Sequence, residues 1–324
     1  MSTTPPAIPR PALPSPLQEL RDDRFARHGI TLTLKRDDLI HPDLPGNKYR
    51  KLSLNLDAAV AAGHGSLLTF GGAYSNHLRA TAAAGRLLGV RTIGVVRGHE
   101  LADRPLNPSL ARCAADGMRL HFVDRATYRR KTEPEVLAAL LSTLGAADPY
   151  VIPEGGSNSL AVRGCTALGE ELRGHAHTAA VACGTGGTLA GLAAGLAPGQ
   201  RALGIPVLKG GFLGAGTRAL QERTFGAPTA NWHLDERFHF GGFARTTPGL
   251  TAFADDFEDR HGLPVERVYV AKLLYALTAL SEEGAFPPGA TVTAVITAAE
   301  PVGPAEPAGP ADPGGPAAQS STSR

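Results

Sequence analysis

The stretch "VACGTGGTLAGL", residues 181–192, is an apolar run, then a Gly/Thr loop, then a run of small residues at helical spacing. It reads as a strand that feeds a helix through a glycine turn. Glycines let a backbone approach an anion closely, and the first free N–H groups of a helix point at it. Thr185 and Thr188 add hydroxyl donors. Leu189 stands where the dinucleotide fingerprint needs its third glycine, and the Lys-Ser/Thr ending of a nucleotide P-loop is missing. A single phosphate is the natural guest, although the segment alone reads equally well as a tight turn.

Two further segments repeat the pattern. In "LLTFGGAYSNHLRATAAAGRLLG", residues 67–89, Ser75, Asn76 and His77 open a helix directly after a strand and a glycine pair. In "YVIPEGGSNSLAVRG", residues 150–164, Gly155-Gly156-Ser157-Asn158 do the same. Serine and asparagine also serve as helix caps, so each junction has a purely structural explanation. Strands are expected at 66–70, 92–97, 120–123, 150–152, 179–183, 202–208 and 291–297. Helices are expected at 48–62, 75–88, 109–116, 133–144, 160–172, 188–195, 215–224, 248–260 and 271–282. This alternation predicts an α/β fold of parallel sheets covered by helices, with ligands at the carboxyl ends of strands.

Lysine and arginine crowd a helix start in "PGNKYRKLSLNLDAAVAAG", residues 45–63. Cations fit poorly there, because the backbone dipole is already positive. A phosphate cradle, an asparagine at a second strand end and a lysine at a helix opening are the parts that hold pyridoxal phosphate. The lysine amine condenses with the aldehyde while the phosphate anchors the other end. Lys48 directly follows Gly46-Asn47. Lys51 lies one turn on and close to the same face, so spacing does not choose between them.

Together, "LKRDDLIHPDLPGNKYRKL", "GGAYSNHLRATA", "IPEGGSN", "CGTGGTLAGL" and "VYVAKLLYAL" resemble, in this order, the pyridoxal-phosphate-dependent D-cysteine desulfhydrase and 1-aminocyclopropane-1-carboxylate deaminase family. The resemblance covers roughly residues 15–297. It implies the two-domain, tryptophan-synthase-β-like fold (fold type II) and a homodimer. It implies Lys48 as the Schiff-base lysine, Asn76 beside the cofactor's ring hydroxyl, and Ser75 and His77 near the substrate. Thr185, Gly186, Gly187 and Thr188 would hold the phosphate, Tyr269 would be the active-site tyrosine, and Thr297 would face the pyridine nitrogen. The sequence departs from the family at two places. Val270 follows Tyr269 where the deaminase has a glutamate, and Ala298-Ala299 replace a glycine pair. The expected activity is therefore α,β-elimination on a small amino acid. Cyclopropane deamination is the alternative, and a cofactor-binding protein of little activity is the rival from another class.

The chain of 324 residues has a net charge of +2, which gives no argument for nucleic acid or a membrane as partner. Its three cysteines lack metal-ligand spacing, and the proline-rich start lacks the apolar core of a signal peptide; a cytoplasmic protein with reduced thiols and no metal is expected. Residues 1–17 read as an extended arm. Residues 18–53 with 153–300 read as a larger, cofactor-binding domain, and 54–152 as a smaller inserted one. Residues 301–324, with proline at every third position from 301 to 316, read as a disordered tail.

Overall fold

The computed structural model describes residues 11–298 other than 45 and 147. The tail from 301 onward and the first ten residues of the expected arm lie outside the described residues. The strands are β1 (Leu17–Leu20), β2 (Thr31–Lys35), β3 (Ser66–Gly71), β4 (Arg91–Arg97), β5 (Met118–Val123), β6 (Tyr150–Val151), β7 (Thr178–Cys183), β8 (Arg201–Pro206), β9 (Trp232–Leu234) and β10 (Thr291–Val295). The helices are α1 (Asp23–Ala26), α2 (Lys48–Ala61), α3 (Asn76–Leu88), α4 (Pro108–Ala115), α5 (Arg125–Arg129), α6 (Pro134–Leu144), α7 (Ser159–Gly164), α8 (Thr166–Glu171), α9 (Gly187–Gly195), α10 (Leu213–Phe225), α11 (Pro248–His261) and α12 (Val270–Glu282).

Two sheets result. One has six strands in the order β1-β2-β10-β7-β8-β9, and the other four in the order β5-β4-β3-β6. Every pairing is parallel except β1 with β2. Central strands such as β7, TAAVAC, are apolar and buried after their first residue because helices cover both faces. Leu250, Ala254 and Phe257 of α11 and Leu273, Leu274 and Leu277 of α12 pack on one face of the larger sheet; Leu189 and Leu192 of α9 pack on the other. In the smaller sheet, Leu67 faces Leu52 and Leu56 of α2, while Leu68 and Phe70 face Tyr128, Leu140 and Leu144.

Helix ends follow their sequence signals. Ser75 Oγ accepts from Leu78 N–H at 3.3 Å to cap α3, and Asn158 Oδ1 accepts from Ala161 N–H at 2.9 Å to cap α7. The single helix expected over 160–172 is instead two, α7 and α8, meeting at Cys165. There the backbones of α7 and α9 nearly touch: a Cβ on Gly191 would lie 2.3 Å from Val162 O. Strand β8 stops at Pro206 rather than 208, and β10 at Val295, so Thr297 lies beyond the strand. Residue 17 already belongs to β1, and Ser15 ahead of it is pinned by Lys35 Nζ, which donates to Ser15 O at 2.6 Å.

The basic cluster at the start of α2 resolves into distinct roles. Arg50, 2% exposed, meets Asp37 at 2.9 Å and Glu171 at 2.8 Å, and Lys35 joins Glu171 at 2.7 Å. This buried ion network ties α2 to the end of β2 and to α8.

Candidate active site

Lys48 begins α2, and the two residues before it are shaped by contacts at the end of β10. Gly46 sits at φ +63°, and a Cβ there would fall 1.6 Å from Thr297 O, so only glycine fits. Asn47 N–H donates to the same Thr297 carbonyl at 3.2 Å. The Asn47 side chain then works in two directions. Its Nδ2 donates to Thr188 Oγ1 at 3.0 Å, and its Oδ1 accepts from Lys48 Nζ at 3.1 Å. Burial, with help from the Lys51 charge, pushes the Lys48 amine down to about 7. Much of it is therefore neutral and nucleophilic near neutral pH.

Lys51 takes a separate post. Its Nζ donates to Gly155 O at 3.0 Å and lies 3.5 Å from where a Cβ on Gly187 would be; Ser157 Oγ is equally close to that point. Ser157 Oγ donates to Thr185 Oγ1 at 2.5 Å. Gly186 takes φ +80° at the N-cap of α9, and a Cβ there would meet Thr217 Oγ1 at 2.4 Å. The N-terminus of α9, the hydroxyls of Thr185, Thr188 and Ser157, and the Lys51 cation thus converge. That donor set fits a phosphate monoester, with Lys51 as counter-charge.

The second junction lies alongside. A Cβ on Gly156 would be 3.3 Å from His77 Cε1, which puts His77 against the 154–156 turn. His77 is 2% exposed, and neither ring nitrogen reaches a hydrogen bond of good geometry among the described residues. Burial and the Lys48 and Lys51 charges push its imidazole down to about 3, so it is neutral. Asn76, half-buried, is the first residue of α3.

Tyr269 is the N-cap of α12, and its hydroxyl lies 3.2 Å from where a Cβ on Gly184 would be. Burial and the Glu266 carboxylate push that hydroxyl's pKa up, keeping it protonated. Glu266 itself is fully buried and accepts from the N–H groups of Val268 and Tyr269 at 2.7 Å and of Val270 at 3.2 Å. The Val270 side chain, 1% exposed, belongs to the apolar core. Lys48, Thr188 and Thr297 are thus linked through Gly46 and Asn47, His77 abuts Gly156 and Tyr269 abuts Gly184, while Ser75 and Asn76 lie with His77 at the start of α3. Asn47, Lys51, Ser157 and Glu266 join them without having been assigned roles. Lys51 carried a signal in its spacing of one turn from Lys48, Ser157 in the third glycine junction and Asn47 in its place just before Lys48; Glu266 carried none.

Residues 9–298 match the family described as "Pyridoxal-phosphate dependent enzyme". The chain is 34% identical over 182 residues to the mitochondrial bifunctional D-cysteine desulfhydrase/1-aminocyclopropane-1-carboxylate deaminase of Arabidopsis thaliana, covering 52% of this chain and 45% of that one. It is 34% identical over 181 residues to a D-cysteine desulfhydrase of Yersinia pestis, covering 52% and 53%. With a putative 1-aminocyclopropane-1-carboxylate deaminase of Pyrococcus abyssi it shares 28% over 286 residues, covering 83% and 85%. The match thus spans about half the length of the Arabidopsis and Yersinia proteins. Among solved structures, an ACC deaminase homologue superposes with a TM-score of 0.77 at 26% identity, covering 88% of this chain and 89% of that one. A processed threonine deaminase isoform of Solanum lycopersicum, at 18% identity and a TM-score of 0.62, shares the fold. With parallel sheets, a phosphate-fitting glycine loop and a family match over almost all described residues, this chain belongs to the pyridoxal-phosphate-dependent enzymes of fold type II, the tryptophan-synthase-β-like architecture.

Proposed function

We propose that this enzyme is a lyase that performs α,β-elimination on a small amino acid, D-cysteine or a close β-substituted relative, giving pyruvate, ammonia and, from cysteine, sulfide. The observation that carries the reading is the Lys48 amine, pushed down to about 7 and held by Asn47 beside the phosphate-fitting loop. When bound, pyridoxal phosphate supplies an electron sink for the substrate's α carbon.

The chain's own residues divide the remaining work. Lys48 would hold the aldehyde carbon, and Thr185, Gly186, Gly187, Thr188 and Lys51 the phosphate. Asn76 would lie by the ring hydroxyl and Thr297 by the ring nitrogen. Lys48 would be the base for the Cα proton, with Ser75 as the other candidate. Its low pKa suits it to accept a proton near neutral pH. The neutral His77 and the protonated Tyr269 would bind substrate with Ser75 and Asn76. Tyr269, as a hydrogen-bond donor, would stabilise charge on the departing group.

Cyclopropane deamination is the second reading, favoured by the names of several relatives. Against it stands position 270, where an apolar side chain turns into the core, while the neighbouring Glu266 already accepts from three backbone N–H groups. A cofactor-binding protein of little activity is the third. A screen for pyruvate and 2-oxobutyrate release over D- and L-amino acids and 1-aminocyclopropane-1-carboxylate separates the three. Pyruvate from a β-substituted amino acid is expected. 2-Oxobutyrate at comparable kcat/KM would put the deaminase first, and cofactor binding without turnover would favour the third reading.

The division into a cofactor-binding domain (18–53 with 153–300) and an inserted domain (54–152) is part of this proposal, as are a homodimer and a cytoplasmic location. The two separate sheets support the first. Cys113, Cys165 and Cys183, buried and unpaired, support a reducing compartment. Among the described residues no helix is long and apolar enough to cross a membrane.

A further inference from the structure

The turn at residues 154–156 touches the candidate site at three points. Gly155 O accepts from Lys51 Nζ at 3.0 Å, a Cβ on Gly155 would be 3.1 Å from Thr185 Oγ1, and Gly156 abuts His77. Both glycines take positive φ, +66° and +68°, and neither has a side chain to hold it in place. Of the three residues, only Glu154 can be gripped from outside the turn.

The grip comes from the segment between α5 and α6. Lys131 Nζ meets Glu154 Oε2 at 3.0 Å. The Lys131 side chain is only 14% exposed, and its Nζ lies over the Tyr128 ring, 4.2 Å from the centroid. Tyr128 is itself buried and meets Phe70 edge-on, with centroids 6.5 Å apart. Arg97, at the end of β4, uses the same ring: its guanidinium carbon is 5.8 Å from the centroid, and its Nη2 is 3.7 Å from where a Cβ on Gly72 would be. An exposed ion pair contributes little, because two long side chains must be ordered to make it. Here the lysine is already ordered by a fixed aromatic, so the pair with Glu154 costs little further freedom.

We infer that Lys131 is a positioning residue for the cofactor's phosphate. Through Glu154 it sets the 154–156 turn, and through Gly155 O the turn sets the Lys51 ammonium. The smaller sheet's layer thereby reaches the phosphate-fitting loop without touching the phosphate. This inference rests on the assignment of Lys51 and the 185–188 loop to the phosphate. Loss of the pair frees the turn and loosens Lys51, which weakens the hold on the phosphate. The aldehyde end is spared, because Lys48 is held separately by Asn47.

The test measures the dissociation constants of the whole chain, freed of cofactor, for pyridoxal 5′-phosphate and for pyridoxal, read from visible absorbance. Pyridoxal keeps the aldehyde and the ring but lacks the phosphate, so the ratio of the two constants cancels any change in the fold or at the aldehyde end. Lys131→Met and Glu154→Gln are each expected to lower the preference for the phosphate form about fivefold, the size of one well-ordered ion pair. The double variant should match either single one, because both remove the same contact. Arg130→Met is the control: it removes a neighbouring cation whose exposed pair with Glu133, at 2.8 Å, does not reach the turn, and it should leave the preference unchanged. A preference within twofold of wild type in Lys131→Met, an equal loss in Arg130→Met, or losses that multiply in the double variant would each overturn the inference while the phosphate assignment stands. A wild-type chain that binds pyridoxal as tightly as pyridoxal 5′-phosphate overturns the phosphate assignment and the inference with it.

Discussion

Asn47 and Thr188 join the two halves of the site: Asn47 Nδ2 donates to Thr188 Oγ1 at 3.0 Å, across 141 residues of sequence. Because the same amide accepts from Lys48, the glycine loop and the lysine-bearing helix start are set relative to one another by one side chain. Asn47→Ala should weaken pyridoxal phosphate binding by about tenfold, the effect of a buried hydrogen bond worth roughly 1–1.5 kcal/mol. Titration of the cofactor's visible absorbance checks this, and unchanged affinity would remove Asn47 from the account.

The low pKa of Lys48 gives a pH signature. A lysine amine depressed from 10.5 to about 7 is protonated below that pH and neutral above it. Covalent capture of the cofactor's aldehyde needs the neutral amine, so its rate should rise with pH through about 7 and then level off. Asn47→Asp puts a carboxylate beside the ammonium and favours its charged form, which should move the inflection upward. Stopped-flow development of the visible band measures both. A rate still rising with pH through 9 in the wild type would contradict the assigned environment.

Gly186→Val tests the phosphate loop. At φ +80° a β-branched residue is strained, and its Cβ would press on Thr217 Oγ1, so destabilisation of about 2–3 kcal/mol is expected together with weaker cofactor binding. Adding Thr217→Ala should recover part of the stability, because it removes the colliding hydroxyl. Affinity equal to wild type in Gly186→Val would sink the cradle.

These predictions fall on residues of unequal legibility. The junctions at 71–77, 155–158 and 184–188 stood out in sequence because a strand, a glycine turn and a helix start each leave local marks. Strands β1, β2 and β9 were not foreseen. They are short, β1 and β9 lie at sheet edges, and pairing rather than local pattern defines them. The break at Cys165 arises from the close approach of α9, which residues 160–172 alone do not encode. Lys48 and Lys51 looked interchangeable by spacing. What separates them, Asn47 for one and the Gly155 carbonyl for the other, are neighbours supplied by the fold.

The buried network around Arg50 supports the helix that carries both lysines. Arg50→Met leaves Asp37 and Glu171 without their shared partner and should cost about 3–5 kcal/mol, read as a lower thermal or denaturant midpoint. Burial pushes the Glu171 carboxyl up, but hydrogen bonds from Arg50 and Lys35 outweigh it and hold it below its ordinary value. A carboxyl with a depressed folded pKa contributes stability at pH above its unfolded pKa, and loses it as pH falls through the folded value. The difference between wild type and Arg50→Met should therefore be largest near neutral pH and shrink in acid. A pH-independent difference would mean that packing, not charge, is what Arg50 supplies.

The central claim is that Lys48 bonds to the cofactor while Lys51 serves its phosphate. Borohydride reduction of the holoenzyme followed by peptide mapping tests it most directly. The account predicts a pyridoxyl group on Lys48 in the wild type and in Lys51→Met, with Lys51→Met needing more cofactor to saturate. A pyridoxyl group on Lys51, or on any lysine other than Lys48, would contradict it.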